Sequence, residues 1–151
     1  MAVCDNLFRC QQDKCLNSCC GAYSGFTDIL CSVEHRPFKD IVLTSDDYES
    51  MYNAGLYQYI YIAEDGLGRM KISDDGVCSA FSNGKCLVND LKPTVCKCYP
   101  LCIDVLTGLC SFRACPSVED SFDINSYREQ LDALICMYEF WISRYKEALT
   151  Q

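Results

Sequence analysis

The most regular hydrophobic pattern lies near the end of the chain. Tyr127, Leu131, Leu134, Ile135, Tyr138, Trp141, Ile142, Tyr145 and Leu149 recur at helical spacing, which predicts a helix over 123–149 with one wide apolar face. Arg128, Asp132, Glu139, Ser143 and Lys146 fall on the opposite stripe. Such a face is expected to cover the rest of the fold as scaffolding, with Cys136 at the border of the polar stripe and therefore exposed.

Two patterns precede it. "LTSDDYESMYNAG" (43–55) reads as a short helix, with Thr44 or Ser45 as N-cap, Asp46 and Asp47 in the first turn and Gly55 as the stop. In the next stretch Tyr57, Tyr59 and Tyr61 alternate with Gln58, Ile60 and Ile62. That period of two predicts a strand, and Asp65-Gly66 is a hairpin turn leading into 70–72. "VCSAF" and "KCLV", joined across Ser82-Asn83-Gly84, are expected to extend the same antiparallel sheet. Asn83-Gly84 is the strongest turn signal in the chain.

No repeat, low-complexity stretch or long linker interrupts the 151 residues, so a single α+β domain over 1–151 is expected. The apolar runs are too short for a membrane helix, and "MAVCDNLFRCQQDKC" has neither the basic start nor the apolar centre of a secretory signal. A cytoplasmic protein without a membrane partner is the expectation. The formal charge is −8, from 13 Lys and Arg against 21 Asp and Glu, with no basic stripe. This argues against nucleic acid as a partner.

Cysteine changes the picture most. There are 14, far more than a chain of this length needs in order to fold. They fall into blocks from Cys4 to Cys31 and from Cys78 to Cys115, with only Cys136 beyond. In a reducing compartment such density points to metal binding or catalysis rather than disulfides. Thiolates suit zinc and iron–sulfur centres, which generally recruit four. "RCQQDKCLNSCCG" (9–21) places Cys10, Cys15 and the adjacent pair Cys19-Cys20 in one candidate ligand loop. Adjacent cysteines point apart more naturally than they chelate one ion, so which of the two ligates stays open.

The second block becomes specific at "CSAFSNGKCLVNDLKPTVCKCYP" (78–100). Together with the first loop it resembles the zinc- or iron-chelating domain of YkgJ-like cysteine-cluster proteins, over about residues 8–117. The matching positions are Cys10, Cys15, Cys19, Cys20, Leu43-Thr44, Cys78, Gly84, Cys86, Pro93, Cys96, Tyr99-Pro100 and Cys115-Pro116. Lys92 and Lys97 stand where that family carries arginine, and the first cysteine gap is four residues rather than two. The resemblance implies a cysteine-bound iron–sulfur cluster, of the [4Fe–4S] kind, or zinc. It extends to the longer flagellin lysine N-methylases, of which this chain matches only the cysteine-cluster module.

Cys10, Cys15, Cys19, Cys20, Cys78, Cys86, Cys96 and Cys115 are thus the candidate metal ligands. Cys98, Cys102 and Cys110 are left for a second site or the core, and Cys4, Cys31 and Cys136 for ordinary thiols. His35, the sole histidine, sits in "VEHRPF", where a surface loop turned by Pro37 is the simpler reading than a ligand. Three classes follow: an iron–sulfur protein acting in redox or beside a modification enzyme, a zinc-stabilised module for a protein partner, and a secreted disulfide scaffold.

Overall fold

The computed structural model describes residues 7–10, 41–103, 110–112 and 123–151, with the backbone alone given at 102, 103 and 110–112. Its elements are β1 (Val42–Leu43), α1 (Ser45–Asn53), β2 (Ile60–Ile62), β3 (Gly68–Met70), β4 (Phe81–Ser82), β5 (Lys85–Cys86), α2 (Thr94–Cys98), β6 (Leu101–Ile103), β7 (Cys110–Phe112) and α3 (Arg128–Leu149). The fold class is α+β, small antiparallel ladders with a long helix at the end of the chain.

Helix α1 begins and ends as the sequence predicts, for identifiable reasons. Thr44 is the N-cap of a reciprocal capping box: its hydroxyl accepts from the Asp47 N–H and the Asp47 carboxylate accepts from the Thr44 N–H, both at 3.1 Å. At the other end the Gly55 N–H donates to the Tyr52 carbonyl and the Leu56 N–H to the Met51 carbonyl, both at 3.0 Å. With Gly55 at φ +76° this is a Schellman stop, and Leu56 packs on the core that holds Met51.

That stop overturns part of the predicted strand. Leu56 is committed to the helix terminus, and the Tyr59 N–H then returns to the Leu56 carbonyl at 3.0 Å. Tyr57–Tyr59 therefore form a 3₁₀ turn, and only Ile60–Ile62 remain as strand. The alternation of tyrosines is local chemistry outcompeted by a helix cap.

Strand β3 sits between its two antiparallel neighbours, in the order β1-β3-β2, with Tyr61 opposite Arg69 and Leu43 opposite Gly68. β1 was not foreseen as a strand. The β2–β3 loop is a tight turn closed by Gly66, at φ +79°, donating to the Ala63 carbonyl at 2.9 Å. "SDDGV" repeats this turn, with Gly76 donating to the Ser73 carbonyl at 2.8 Å, so Asp74-Asp75 are turn residues. β4 and β5 form a ladder of their own across Asn83 and Gly84, both with positive φ. Among the described residues the Ile72–Cys78 bridge is its backbone link to the three-stranded sheet, a correction to the single extended sheet.

Among the described residues two apolar clusters hold these parts. The first gathers Leu43, Met51, Ile60, Met70, Cys78, Ala80 and Val88. The second lies between α2 and α3 and gathers Cys98, Ala133 and Met137, with Val95, Leu134, Phe140 and Trp141 against it. This second cluster corrects the predicted face of α3. Of the predicted residues Leu134 and Trp141 pack there, whereas Ile135, Tyr138, Ile142, Tyr145 and Leu149 are exposed, and the centre of the packed face is turned from the predicted one by roughly a quarter of a turn, at about 100° per residue. Ala133 is the smallest side chain in this cluster, where α2 packs on α3. The helix also starts later than predicted, at Arg128, after a 3₁₀ turn over Ile124–Tyr127.

An ion pair fastens the β2–β3 loop. The two terminal nitrogens of the Arg69 guanidinium donate to the two Asp65 carboxylate oxygens at 2.7 Å, and the Asp65 carbonyl accepts from Arg144 of α3 at 3.3 Å. The Arg69 hydrogen bonds hold the Asp65 carboxyl down at about 2, below its ordinary value. A depressed carboxyl contributes its full stability above the unfolded value of about 4, and that contribution is lost as pH falls toward 2.

Thermal melts between pH 5 and pH 2 are expected to show a loss of stability that is smaller in Asp65→Asn than in the native chain. At Gly68 a Cβ would lie 2.7 Å from Cδ2 of Tyr48 and 3.3 Å from its Cβ, at the root of a side chain that cannot swing away. Gly68→Ala is therefore expected to cost about 1–3 kcal/mol by overpacking, read as a lowered denaturant midpoint.

Candidate metal centre

Four of the eight predicted ligands, Cys10, Cys78, Cys86 and Cys96, fall among the described residues, and Cys15, Cys19, Cys20 and Cys115 lie outside them. His35, Cys4 and Cys31 lie outside them too.

Cys78 is buried in the first cluster, at the Ile72 bridge, and its carbonyl accepts from the Phe81 N–H at 2.9 Å in a tight turn. That turn delivers the chain into β4, and Asn83-Gly84 returns it along β5 so that Cys86 pairs with Phe81. Cys86 is half-buried and packs against the same cluster. The structure thus brings Cys78 and Cys86 to one core, Cys86 on the β4–β5 ladder and Cys78 just before it.

Cys96 lies on α2, and its N–H donates to the Pro93 carbonyl at 2.9 Å. What fixes this turn is Asp47. Its carboxylate accepts from the Thr94 N–H at 3.0 Å and from the Thr94 hydroxyl at 2.9 Å, in addition to the Thr44 N–H of its own capping box. One half-buried carboxylate thereby holds the start of its own helix and that of a second helix 47 positions further along the sequence. Sequence reasoning read Asp47 as a first-turn residue only. The signal that could have found its second role is the pairing of an "LT..D" helix start with "KPT", whose Thr94 offers an N–H and a hydroxyl together.

Cys98 points the other way from a ligand role. It is buried between α2 and α3, and its Sγ donates to the Thr94 carbonyl at 3.3 Å. Burial first of all, with the neighbouring Cys136 and Asp47 adding to it, pushes the thiol up to about 12. A protonated, hydrogen-bonded thiol in an apolar contact is core packing. Cys136 is exposed on α3, as predicted.

Cys102 and Cys110 lie on the paired strands β6 and β7, where Cys102 stands opposite Ser111 and Ile103 opposite Cys110. Cys10 is exposed, in the segment that lies along the start of α3: the Phe8 N–H donates to the Ser126 carbonyl at 2.7 Å, and the Phe8 ring stacks on Tyr127 with centroids 5.0 Å apart. Among the described residues no three His, Cys, Asp or Glu side chains converge as a metal site, and no helix is long and apolar enough to cross a membrane.

Asp47→Ala removes three hydrogen bonds at one stroke and leaves the Thr94 N–H with no carboxylate to meet. A loss of about 1–3 kcal/mol is expected, measured by urea unfolding, with Asp47→Asn recovering part of it. Faster hydrogen exchange in Asp47→Ala at the backbone amides of Thr44 and Thr94 together would show that one carboxylate holds both helix starts.

Comparison with protein-family models, with curated proteins and with solved structures gives no match for this chain.

Proposed function

We propose that this chain binds a metal through cysteine thiolates, with a [4Fe–4S] cluster as the first candidate and zinc as the second, and that it acts in the reducing cytoplasm in redox chemistry or as an accessory to a modification enzyme. The observation that carries this reading is the bracing of residues 78–96. Cys78, Cys86 and Cys96 sit at three stations, each fixed by its own local device: the Ile72 bridge, the Asn83-Gly84 hairpin and the Asp47 clamp. Ligands held by second-level hydrogen bonding keep their place before the metal arrives.

The donor set fits soft metals. Cys78, Cys86 and Cys96 offer sulfur, and Cys15, Cys19, Cys20 and Cys115 would supply the rest of one complete set with some left over. A bound cluster would supply one-electron chemistry at a potential tuned by hydrogen bonds to its sulfurs and by burial. Zinc would instead add its binding energy to folding.

The test is anaerobic purification of the full chain from cells supplied with iron and zinc, with elemental analysis, sulfide analysis and a visible spectrum on one sample. About four iron with matching sulfide per chain is expected for a [4Fe–4S] centre. Stoichiometric zinc without colour would make the centre a folding device, and neither metal with oxidised cysteines would favour the disulfide scaffold and end the proposal. Cys86→Ser and Cys96→Ser are each expected to lower the bound metal severalfold, whereas Cys136→Ser leaves it unchanged.

A further inference from the structure

The face that α3 turns away from the second cluster has its own order. Ile135, Tyr138, Ile142, Tyr145 and Leu149 are spaced three, four, three and four residues apart, and they are exposed at 47%, 52%, 38%, 55% and 86%. Strict alternation of threes and fours is the seam of a left-handed coiled coil, with Ile135, Ile142 and Leu149 in one core position and the two tyrosines in the other. The packed face of α3 carries Ala133, Met137, Phe140 and Trp141 instead. Helix α3 is therefore amphipathic in two directions, and only one of them is used by the described residues.

Charge selects the occupant. Glu139 and Lys146, each directly following a tyrosine of the seam, are exposed and lie along one flank. The other flank is Leu134, Trp141 and Ala148. In a parallel pair the charged flank would face this apolar one, leaving Glu139 and Lys146 without opposite charges. In an antiparallel pair charged flank meets charged flank. Setting Ile142 against Tyr145 and Tyr138 against Leu149 of a second copy brings Glu139 to Lys146 of that copy, once on each side of the two-fold axis. The same chain thus supplies both the apolar seam and the complementary charge, as an isologous interface requires.

We infer that the Tyr138–Leu149 part of this exposed stripe of α3 is the interface of an antiparallel homodimer, with Glu139 paired to Lys146 of the second copy and Ile135 beyond the end of the seam. The seam is under two heptads long, shorter than the helices that supply the roughly 800 Å² per partner of a standard interface, so the dimer is weak and concentration-dependent. This inference is independent of which metal the cysteines hold.

Sedimentation equilibrium of the full chain over a wide concentration range tests it. A monomer–dimer equilibrium is expected, and Leu149→Glu or Ile142→Glu should raise the dissociation constant at least tenfold while the far-UV circular dichroism stays unchanged. Glu139→Lys and Lys146→Glu should each weaken the dimer, and the double variant should restore it. The inference is overturned by a monomer at every concentration, whether the stripe is then open to surface labelling or protected by other residues of the chain. A dimer indifferent to Leu149→Glu and to the charge swap would overturn it as well.

Discussion

A single carboxylate joins the two halves of this structure. Asp47 closes the capping box of α1 and, across 47 residues of sequence, receives the N–H and hydroxyl of Thr94 at the start of α2. The first apolar cluster lies on the α1 side of this clamp and the second on the α2 side. Small ladders of two and three residues per strand bring few hydrogen bonds of their own. Their mutual placement depends on such long-range ties, and with the Arg144 bond to the β2–β3 loop the clamp is what sets α2, and hence Cys96, relative to the sheet.

The local elements were legible in the sequence where one residue type decides a backbone conformation. Gly55, Gly66 and Asn83-Gly84 all take positive φ in the turns and stops that they signal. Thr44 caps as a threonine before an acidic first turn should. The failures arose where local preference met a second demand. The tyrosine alternation at 57–62 satisfied a strand pattern, but its first half was claimed by the Schellman stop of α1, because Leu56 gains burial against Met51 there.

The helix α3 was found and its packed face was misassigned, for a physical reason. A sequence window shows which residues are apolar but not which face can come close to a neighbour. Five large side chains at 135, 138, 142, 145 and 149 dominate any periodicity, yet the contact with α2 centres on Ala133 and Met137, a small and a pliable residue that admit a short helix. Two apolar faces on one helix appear in sequence as one broad face, and only the structure separates the one packed on α2 from the one facing solvent.

The cysteines show the same ambiguity in chemical form. A thiol is a soft ligand and also a small apolar side chain, and spacing alone does not distinguish these uses. Cys96 and Cys98 are two residues apart on one short helix, but Cys98 faces α3, bonded to the Thr94 carbonyl with its proton held by burial, while Cys96 remains half-buried beside the Asp47 clamp. Since helix geometry turns successive residues by about 100°, a C-x-C pair on a helix cannot present both sulfurs in one direction. The clamp that orients Cys96 therefore commits Cys98 to the core, and one carboxylate divides the pair into a candidate ligand and a packing thiol.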